Sequence, residues 1–343
     1  MIYFVRDMTL WETLKFANTL ENIVPDDEMV FDFSRMSNFD PLPMLMMGAM
    51  MRSYRKQFRE IPFRVTGIDT AGKGYAGTMG FFKYVSASLG IGKMPGEAQG
   101  SSNYIPITPI VVDELQKAEF EQGNYMVLGD LIEKEAGRLA RIVDRGNKEL
   151  HKLLTYLIRE ILRNTPEHAK TNTMWVCGQY WPSYELAEIA IVDEGIGIYE
   201  SITKNAAHRE YIKDNATALQ WALKAGISEA FRPSSKQKSR DEWANSGFGL
   251  YMVSEICTHL NGSFCIISYG NYMLIDNHGI KAGDTSFKGT AIRMRVPSKK
   301  IASAQSIISE IASRGEAEAK TIRNAFKSAS MPSRGLMEEL NIQ

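Results

Sequence analysis

An apolar, β-branched run stops at an acid and gives way to alternating glycines in Ala187-Glu-Ile-Ala-Ile-Val-Asp193-Glu-Gly195-Ile-Gly197-Ile. A run of this kind reads as a strand, and the glycines permit a tight turn with close approach of backbone to a ligand. An ionised carboxylate at the strand end only accepts hydrogen bonds, which suits an exocyclic amine. The same residues also describe an ordinary strand-to-loop turn, so the choice falls to the segments around them.

Upstream, a stretch of strong helical periodicity over 125–163 runs into Arg159-Glu160-Ile-Leu-Arg-Asn164-Thr-Pro-Glu-His168. One helical turn separates Glu160 from Asn164, which puts a carboxylate and a carboxamide on one face. An amide oxygen is a hard ligand for Mg²⁺, and a carboxylate can orient or deprotonate a nucleophile aimed at phosphorus. Alone, the pair reads first as a solvated acid and a capping amide before Pro166. Downstream, Asn245-Ser-Gly247-Phe248-Gly249-Leu250 opens a helix expected over 249–261 and closed by Asn261-Gly262. Free N–H groups at a helix start, with the helix dipole, form a natural phosphate site, although a glycine loop without a ligand has the same spelling. Gly289-Thr290 opens a last strand, 290–296, and offers a hydroxyl.

Earlier in the chain, strands are expected at 2–5, 28–33 and 62–67, separated by helices at 9–23 and 42–60, with a further helix near 75–88. Strands alternating with helices imply crossover connections and a small α/β unit. An extended stretch at 104–112 follows, then strands at 173–180 and 185–193, a hairpin-like pair at 263–269 and 290–296, and a helix at 299–313. The chain divides on this reading into an α/β unit at 1–112, an α+β unit at 113–298 and a helical tail at 299–343. Residues 67–74, Gly-Ile-Asp-Thr-Ala-Gly-Lys-Gly, nearly spell a P-loop, but Gly74 stands where a Mg²⁺-binding hydroxyl belongs, so a plain glycine loop is expected.

Composition narrows the partners. The 40 basic and 40 acidic residues cancel, leaving no electrostatic footprint of a nucleic-acid binder. No uncharged apolar run approaches the ~20 residues that span a bilayer. The N-terminus is broken by charges, unlike a signal peptide, and Cys177, Cys257 and Cys265 sit among apolar neighbours as buried thiols do. A cytoplasmic protein with no membrane contact is expected.

The order of helix E-x-x-x-N, strand D-x-G-x-G, G-x-G helix and Gly-Thr strand resembles the Bergerat-type (GHKL) ATPase superfamily over about residues 125–297. That group holds gyrase, Hsp90 chaperones, histidine kinases and mismatch-repair clamps. The resemblance implies a two-layer α+β sandwich that binds ATP and Mg²⁺. Asn164 would bind the Mg²⁺, and Glu160 would be the general base. Asp193 would read the adenine amine, with Gly195 and Gly197 shaping that wall and Thr290 joining the network. Gly247, Phe248, Gly249 and Leu250 would hold the phosphates. Residues 198–246 would be the lid, with Arg232, Lys236, Lys238 and Arg240 as candidates to contact the γ-phosphate.

Residues 1–112 are similar to STAS domains through Val30-Phe-Asp32 and Asp40-Pro-Leu-Pro followed by an apolar helix, although Pro41 and Leu42 stand where that family often carries a phosphorylatable serine. The implied function is ATP hydrolysis that switches lid and partner in a cytosolic regulatory or defence role of the bacterial kind, with a protein partner or homodimer. The alternatives are a serine/threonine kinase of the anti-sigma-factor type and a non-hydrolysing, ATP-stabilised interaction module. A sensor histidine kinase is disfavoured because His151 lies too near Asn164, and a clamp because little chain follows Pro297.

Overall fold

The computed structural model describes residues 2–25, 27–69, 73–123, 126–165, 171–229, 246–299 and 301–330. The chain begins β1 (Ile2–Phe4), α1 (Leu10–Glu21), β2 (Met29–Asp32), α2 (Pro41–Gln57) and β3 (Phe63–Thr66). The three strands form one parallel sheet in the order β1-β2-β3, with Ile2 opposite Val30 and Phe31 opposite Val65. Thr9 caps α1 at the Glu12 N–H, and Pro41 supplies the fixed φ that suits a first helical position in α2. The single helix expected near 75–88 is two, α3 (Gly74–Thr78) and α4 (Phe81–Val85), because Gly80 adopts φ +86° between them.

The remainder runs β4 (Tyr104–Val111), α5 (Val112–Glu121), α6 (Leu128–Val143), α7 (Lys148–Asn164), β5 (Thr173–Trp181) and β6 (Leu186–Asp193). Three short helices follow, α8 (Gly197–Thr203), α9 (Ala206–Arg209) and α10 (Asn215–Ala222). The chain then gives α11 (Gly249–His259), β7 (Ser263–Ser268), β8 (Asn271–Asp276), β9 (Gly279–Asp284), β10 (Thr290–Pro297) and α12 (Ala304–Thr321). One antiparallel sheet of seven strands has the order β4-β5-β6-β10-β7-β8-β9. The hairpin-like antiparallel pairing expected between β7 and β10 is present, with Thr290 opposite Ser268, but two further strands intervene between them in the chain. β10 inserts between β6 and β7, and β7 turns instead into β8 and β9. β9 is mostly exposed and polar at the sheet edge, so it carries no apolar periodicity to reveal it.

Both faces of the large sheet are covered. Along β6, Ile189 and Ile191 face one core with α6, α7, α11 and α12, while Ala190 and Val192 face a second core shared with α2 and the small sheet. In β7, Phe264 and Ile266 take the first side and Cys265 and Ile267 the second. Continuous apolar runs rather than in-out alternation follow from burial on both faces. The division expected at residue 112 falls at no break in packing. β4 pairs with β5 in the large sheet, α2 lies against β5 and β6, and Tyr54 of α2 meets Phe31 of β2 edge-on, 6.2 Å between ring centroids. The helix expected at 299–313 extends to Thr321 and packs on α11 and α7, so it belongs to the body.

Charges are buried where the two regions meet. Glu188, fully buried in β6, pairs with Arg295 of β10 at 2.6 Å, and Arg295 also reaches Asp40 at the start of α2 at 3.6 Å. Burial, reinforced by the Glu188 carboxylate, pushes Asp40 up to about 6. At the far end of α2, Arg52 stacks on Tyr84 and forms an ion pair with Glu194, the residue after Asp193. In the P-loop-like segment Lys73 is buried and donates to the backbone carbonyl of Met36. Residues 70–72 of it lie outside the described residues.

Candidate functional site

A cavity of about 810 Å³, open to solvent, lies on the α7/α11 side of the large sheet. Its position follows from strand register. Thr290 sits directly opposite Asp193 across the β10–β6 ladder, and Ile292 sits opposite Ile191. Residues two apart in a strand share a face, so Asp193 and Ile191 enter the cavity together and Thr290 and Ile292 join them. Helix α7 closes one side with Ile161 and Asn164, one turn apart in the sense that they differ by three residues.

Asp193 is nearly buried, and its Oδ1 accepts the Gly195 N–H at 2.9 Å. Burial pushes its carboxyl up to about 6, against the opposing pull of that hydrogen bond. Gly195 does not line the cavity; it turns the chain behind Asp193 and fixes the carboxylate. Its carbonyl accepts from the Tyr269 hydroxyl at 2.8 Å. Gly197 does line the cavity, at φ +75°, and a Cβ there would stand 2.3 Å from the Tyr269 ring. Gly289, at φ +120°, leaves no room for a side chain either, since its Cβ would meet the Asp193 carbonyl at 2.4 Å. These close approaches explain why the loop after β6 requires its glycines.

The start of α11 forms the opposite wall. Gly247, Gly249 and Leu250 line the cavity, and no side chain caps the helix. Gly247 holds φ +71°, and its carbonyl accepts the Gly226 N–H at 3.1 Å. A Cβ on Gly249 would come within 3.0 Å of Glu160 Oε2 and 3.9 Å of Asn164 Oδ1, so α7 and α11 meet at this glycine. Among the described residues the Nδ2 of Asn164 is buried without a hydrogen-bond partner, an uncommon state for a buried polar atom. Phe248 differs from expectation: it is fully buried in the core beneath the helix and touches no part of the cavity.

Glu160 stands just behind the cavity wall rather than on it. Its Oε1 accepts from Arg159 Nη2 at 2.7 Å and Nε at 3.2 Å, while Oε2 faces Gly249. Arg159 is itself fully buried, paired also with Glu133 at 3.0 Å and stacked over Tyr156. One carboxylate oxygen is thus held and the other turned towards the helix start.

Sequence reasoning missed the apolar walls and one polar corner. Ile161, Ile191 and Ile292 each share a face with a chosen polar residue, so helix and strand periods were signal enough to find them. Ser201, Ser228 and Glu229 come from the expected lid; Ser201 donates to Glu229 at 3.0 Å, with Lys204 3.5 Å away. Nothing local in the sequence distinguishes these from a solvated polar loop. Arg232, Lys236, Lys238 and Arg240 lie outside the described residues, as does His168. Among the described residues no cluster of three or more His, Cys, Asp or Glu side chains is placed to hold a metal, and no helix is long and apolar enough to cross a membrane. Comparisons of the chain with protein-family models, curated proteins and solved structures find no match.

Proposed function

We propose that this cavity binds Mg·ATP in the manner of the Bergerat-type ATPases, and that the protein hydrolyses it slowly to switch a protein partner or a second copy. One observation carries the reading. A strand-end carboxylate with a threonine beside it, a helical carboxamide with an unpartnered nitrogen, and an uncapped glycine-opened helix face the same cavity. The chemistry along it is ordered: an acceptor for an amine at Asp193, apolar walls of Ile161, Ile191 and Ile292 for a flat base, and free N–H donors with the positive helix end at Gly249 for phosphates.

Asn164 fits a Mg²⁺ that brings its own waters and shares the phosphates, since one protein oxygen is enough for such an ion and no acidic cluster competes for it. Bound there, the ion would neutralise phosphate charge. Glu160 Oε2 would take the proton of the attacking water as its oxygen bonds to the γ-phosphorus. The bond from that phosphorus to the bridging oxygen breaks, and ADP leaves with the electron pair.

The ion pair with Arg159 favours a second reading alongside hydrolysis. With Oε1 engaged by a buried guanidinium, only Oε2 of Glu160 is turned towards the helix start, so a module that binds ATP for stability and does not hydrolyse it is the alternative. The kinase reading leans on the STAS-like character of residues 1–112. Isothermal titration with Mg·ATP tests the binding. Incubation with γ-labelled ATP then separates the outcomes: free phosphate supports hydrolysis, label on protein supports a kinase, and neither supports the binding module. Absence of any heat or protection with ATP, ADP or Mg·ATP rejects the proposal.

A further inference from the structure

The segment that follows α12 does not leave the body. It hydrogen-bonds to residues next to those that line the cavity, Gly226 beside Ile227 and Ser246 beside Gly247. Asn324, at φ +63°, donates from Nδ2 to the Ala207 carbonyl at 3.2 Å. The Phe326 N–H donates to the Gly226 carbonyl at 2.8 Å. The Ser330 N–H donates to Ser246 Oγ at 3.0 Å, and the Ala329 N–H is held by Glu316 of α12 at 3.0 Å. Ala325 is buried against Ile202, Ile212, Ala218, Ala222 and Ile227, the small core beneath α8 and α10.

Gly226 and Ser246 are the residues that matter here. Gly226 donates to the Gly247 carbonyl, and Ser246 immediately precedes Gly247. Gly226 stands at φ +78°, and a Cβ on it would fall 2.1 Å from the Phe326 carbonyl oxygen, so glycine is required for the segment to lie this close. A chain of backbone contacts thus runs from Phe326 through Gly226 to Gly247, and a second runs from Ser330 through Ser246 to the same glycine. Gly247 and Gly249 open α11 onto the cavity.

We infer that residues 322–330 are a positioning clamp for the cavity: by gripping Gly226 and Ser246 they hold the start of α11 in the geometry that receives the anionic end of a ligand. The inference rests on the nucleotide reading for the ligand's identity and on the contacts alone for the clamp. Loss of the clamp leaves the strand pairing intact, removes Ala329 and Phe326 from the edge of the first core and Ala325 from the small one, and frees the Gly226–Gly247 pairing, so the donors of the first turn of α11 lose their fixed direction. Pre-set direction is what gives a helix start its affinity for an anion.

The test compares three proteins with the full chain: one ending after Ser330, one ending after Thr321, and full-length Asn324→Ala, which strains a left-handed position and deletes the bond to Ala207. Amide deuterium exchange over Gly226–Ser228 and Ser246–Leu250 reads the clamp without any ligand, and titration with Mg·ADP reads the site. The protein ending after Ser330 is expected to match the full chain in both. The one ending after Thr321 is expected to exchange at least about tenfold faster at those amides and to bind Mg·ADP about tenfold more weakly, with Asn324→Ala intermediate. If removal of 322–343 does not fold, Asn324→Ala decides the matter alone. Unchanged exchange in the variants that fold overturns the clamp. Faster exchange together with no nucleotide binding by the full chain leaves the clamp standing and removes the nucleotide reading instead.

Discussion

Replacing Asp193 by asparagine isolates the contact on which the proposed base recognition rests. The fold should tolerate it, because the carboxamide oxygen can still accept the Gly195 N–H that the carboxylate accepts at 2.9 Å. The amide retains one acceptor but turns its NH₂ towards the cavity, where the exocyclic amine of a base also donates. A hydrogen bond to a charged group contributes about 1.5–3 kcal/mol, so Mg·ADP binding should weaken by roughly 10- to 150-fold. The pH profile sharpens the test. Asp193 titrates near 6 in the empty cavity because it is buried, and only its ionised form accepts on both oxygens. At pH 5 about nine-tenths of it is protonated, so the wild-type affinity falls about tenfold between pH 7 and pH 5, and the variant lacks this component. The folded value lies above that of an exposed carboxyl. Its contribution to the stability of the empty protein is therefore fully present below about pH 4 and is lost as pH rises through 6, opposite in sign to its effect on binding. Titration calorimetry of both proteins at several pH values, with thermal melts of the empty forms, reads both signs. Equal affinity of Asp193→Asn and wild type, or identical pH profiles, refutes the assignment.

Glu160→Gln should bind Mg·ADP within a few-fold of wild type yet release phosphate at least about 100-fold more slowly, measured by single-turnover phosphate release. Arg159→Met leaves Glu160 and Glu133 without their buried cation and should cost about 3–5 kcal/mol in a denaturant melt. Gly249→Ala gains up to about 1 kcal/mol of helix propensity but sets a methyl 3.0 Å from Glu160 Oε2, so the melt should barely move while turnover falls about tenfold or more. Glu188→Gln strands Arg295 at the junction of the two cores and should destabilise by about 3 kcal/mol, the low end for a buried pair because the arginine is part-exposed. A melt unchanged by Glu188→Gln would mean that the charges there are solvated.

Much of the candidate site was legible because its signals are local. Asp193 ends an apolar strand, Asn164 and Glu160 sit one turn apart, and Gly247 and Gly249 mark a helix start. Each of these depends on residues within a few positions of one another. Phe248 was misassigned for the same reason in reverse, since proximity to two functional glycines says nothing about which way a helical side chain points. The parts that escaped depend on distant pairing. β4 was placed with the first region because sequence order suggested it, whereas the partner it finds, β5, comes after three intervening helices. β9 carries too little apolar surface to show a period, and β8 is an unbroken apolar run, Tyr272 to Ile275, too short to tell from a buried turn of helix. Tyr269, which braces Gly195 and Gly197, is set by a turn between β7 and β8 that no spacing rule announces.

The covering of both sheet faces bears on how a ligand's presence reaches the rest of the molecule. The cavity opens on one face, where Asp193 and Thr290 stand; the next residues along the same strands, Val192 and Ala291, face the core shared with α2. Close-packed interiors transmit displacement rather than absorb it, and the sheet is one residue thick. The loop after β6 is tied to both sides, through Asp193 and Gly195 to the cavity and through Glu194 to Arg52 of α2. Arg52 is held in turn over Tyr84 and Trp175. A change at Asp193 that turns the Asp193–Gly195 backbone must therefore move Glu194 against α2. Arg52→Met, which cuts that tie and leaves the cavity residues untouched, should therefore change deuterium exchange of α2 on nucleotide addition without changing affinity more than about threefold. Identical nucleotide-induced exchange in α2 of wild type and Arg52→Met would show that the two faces respond independently.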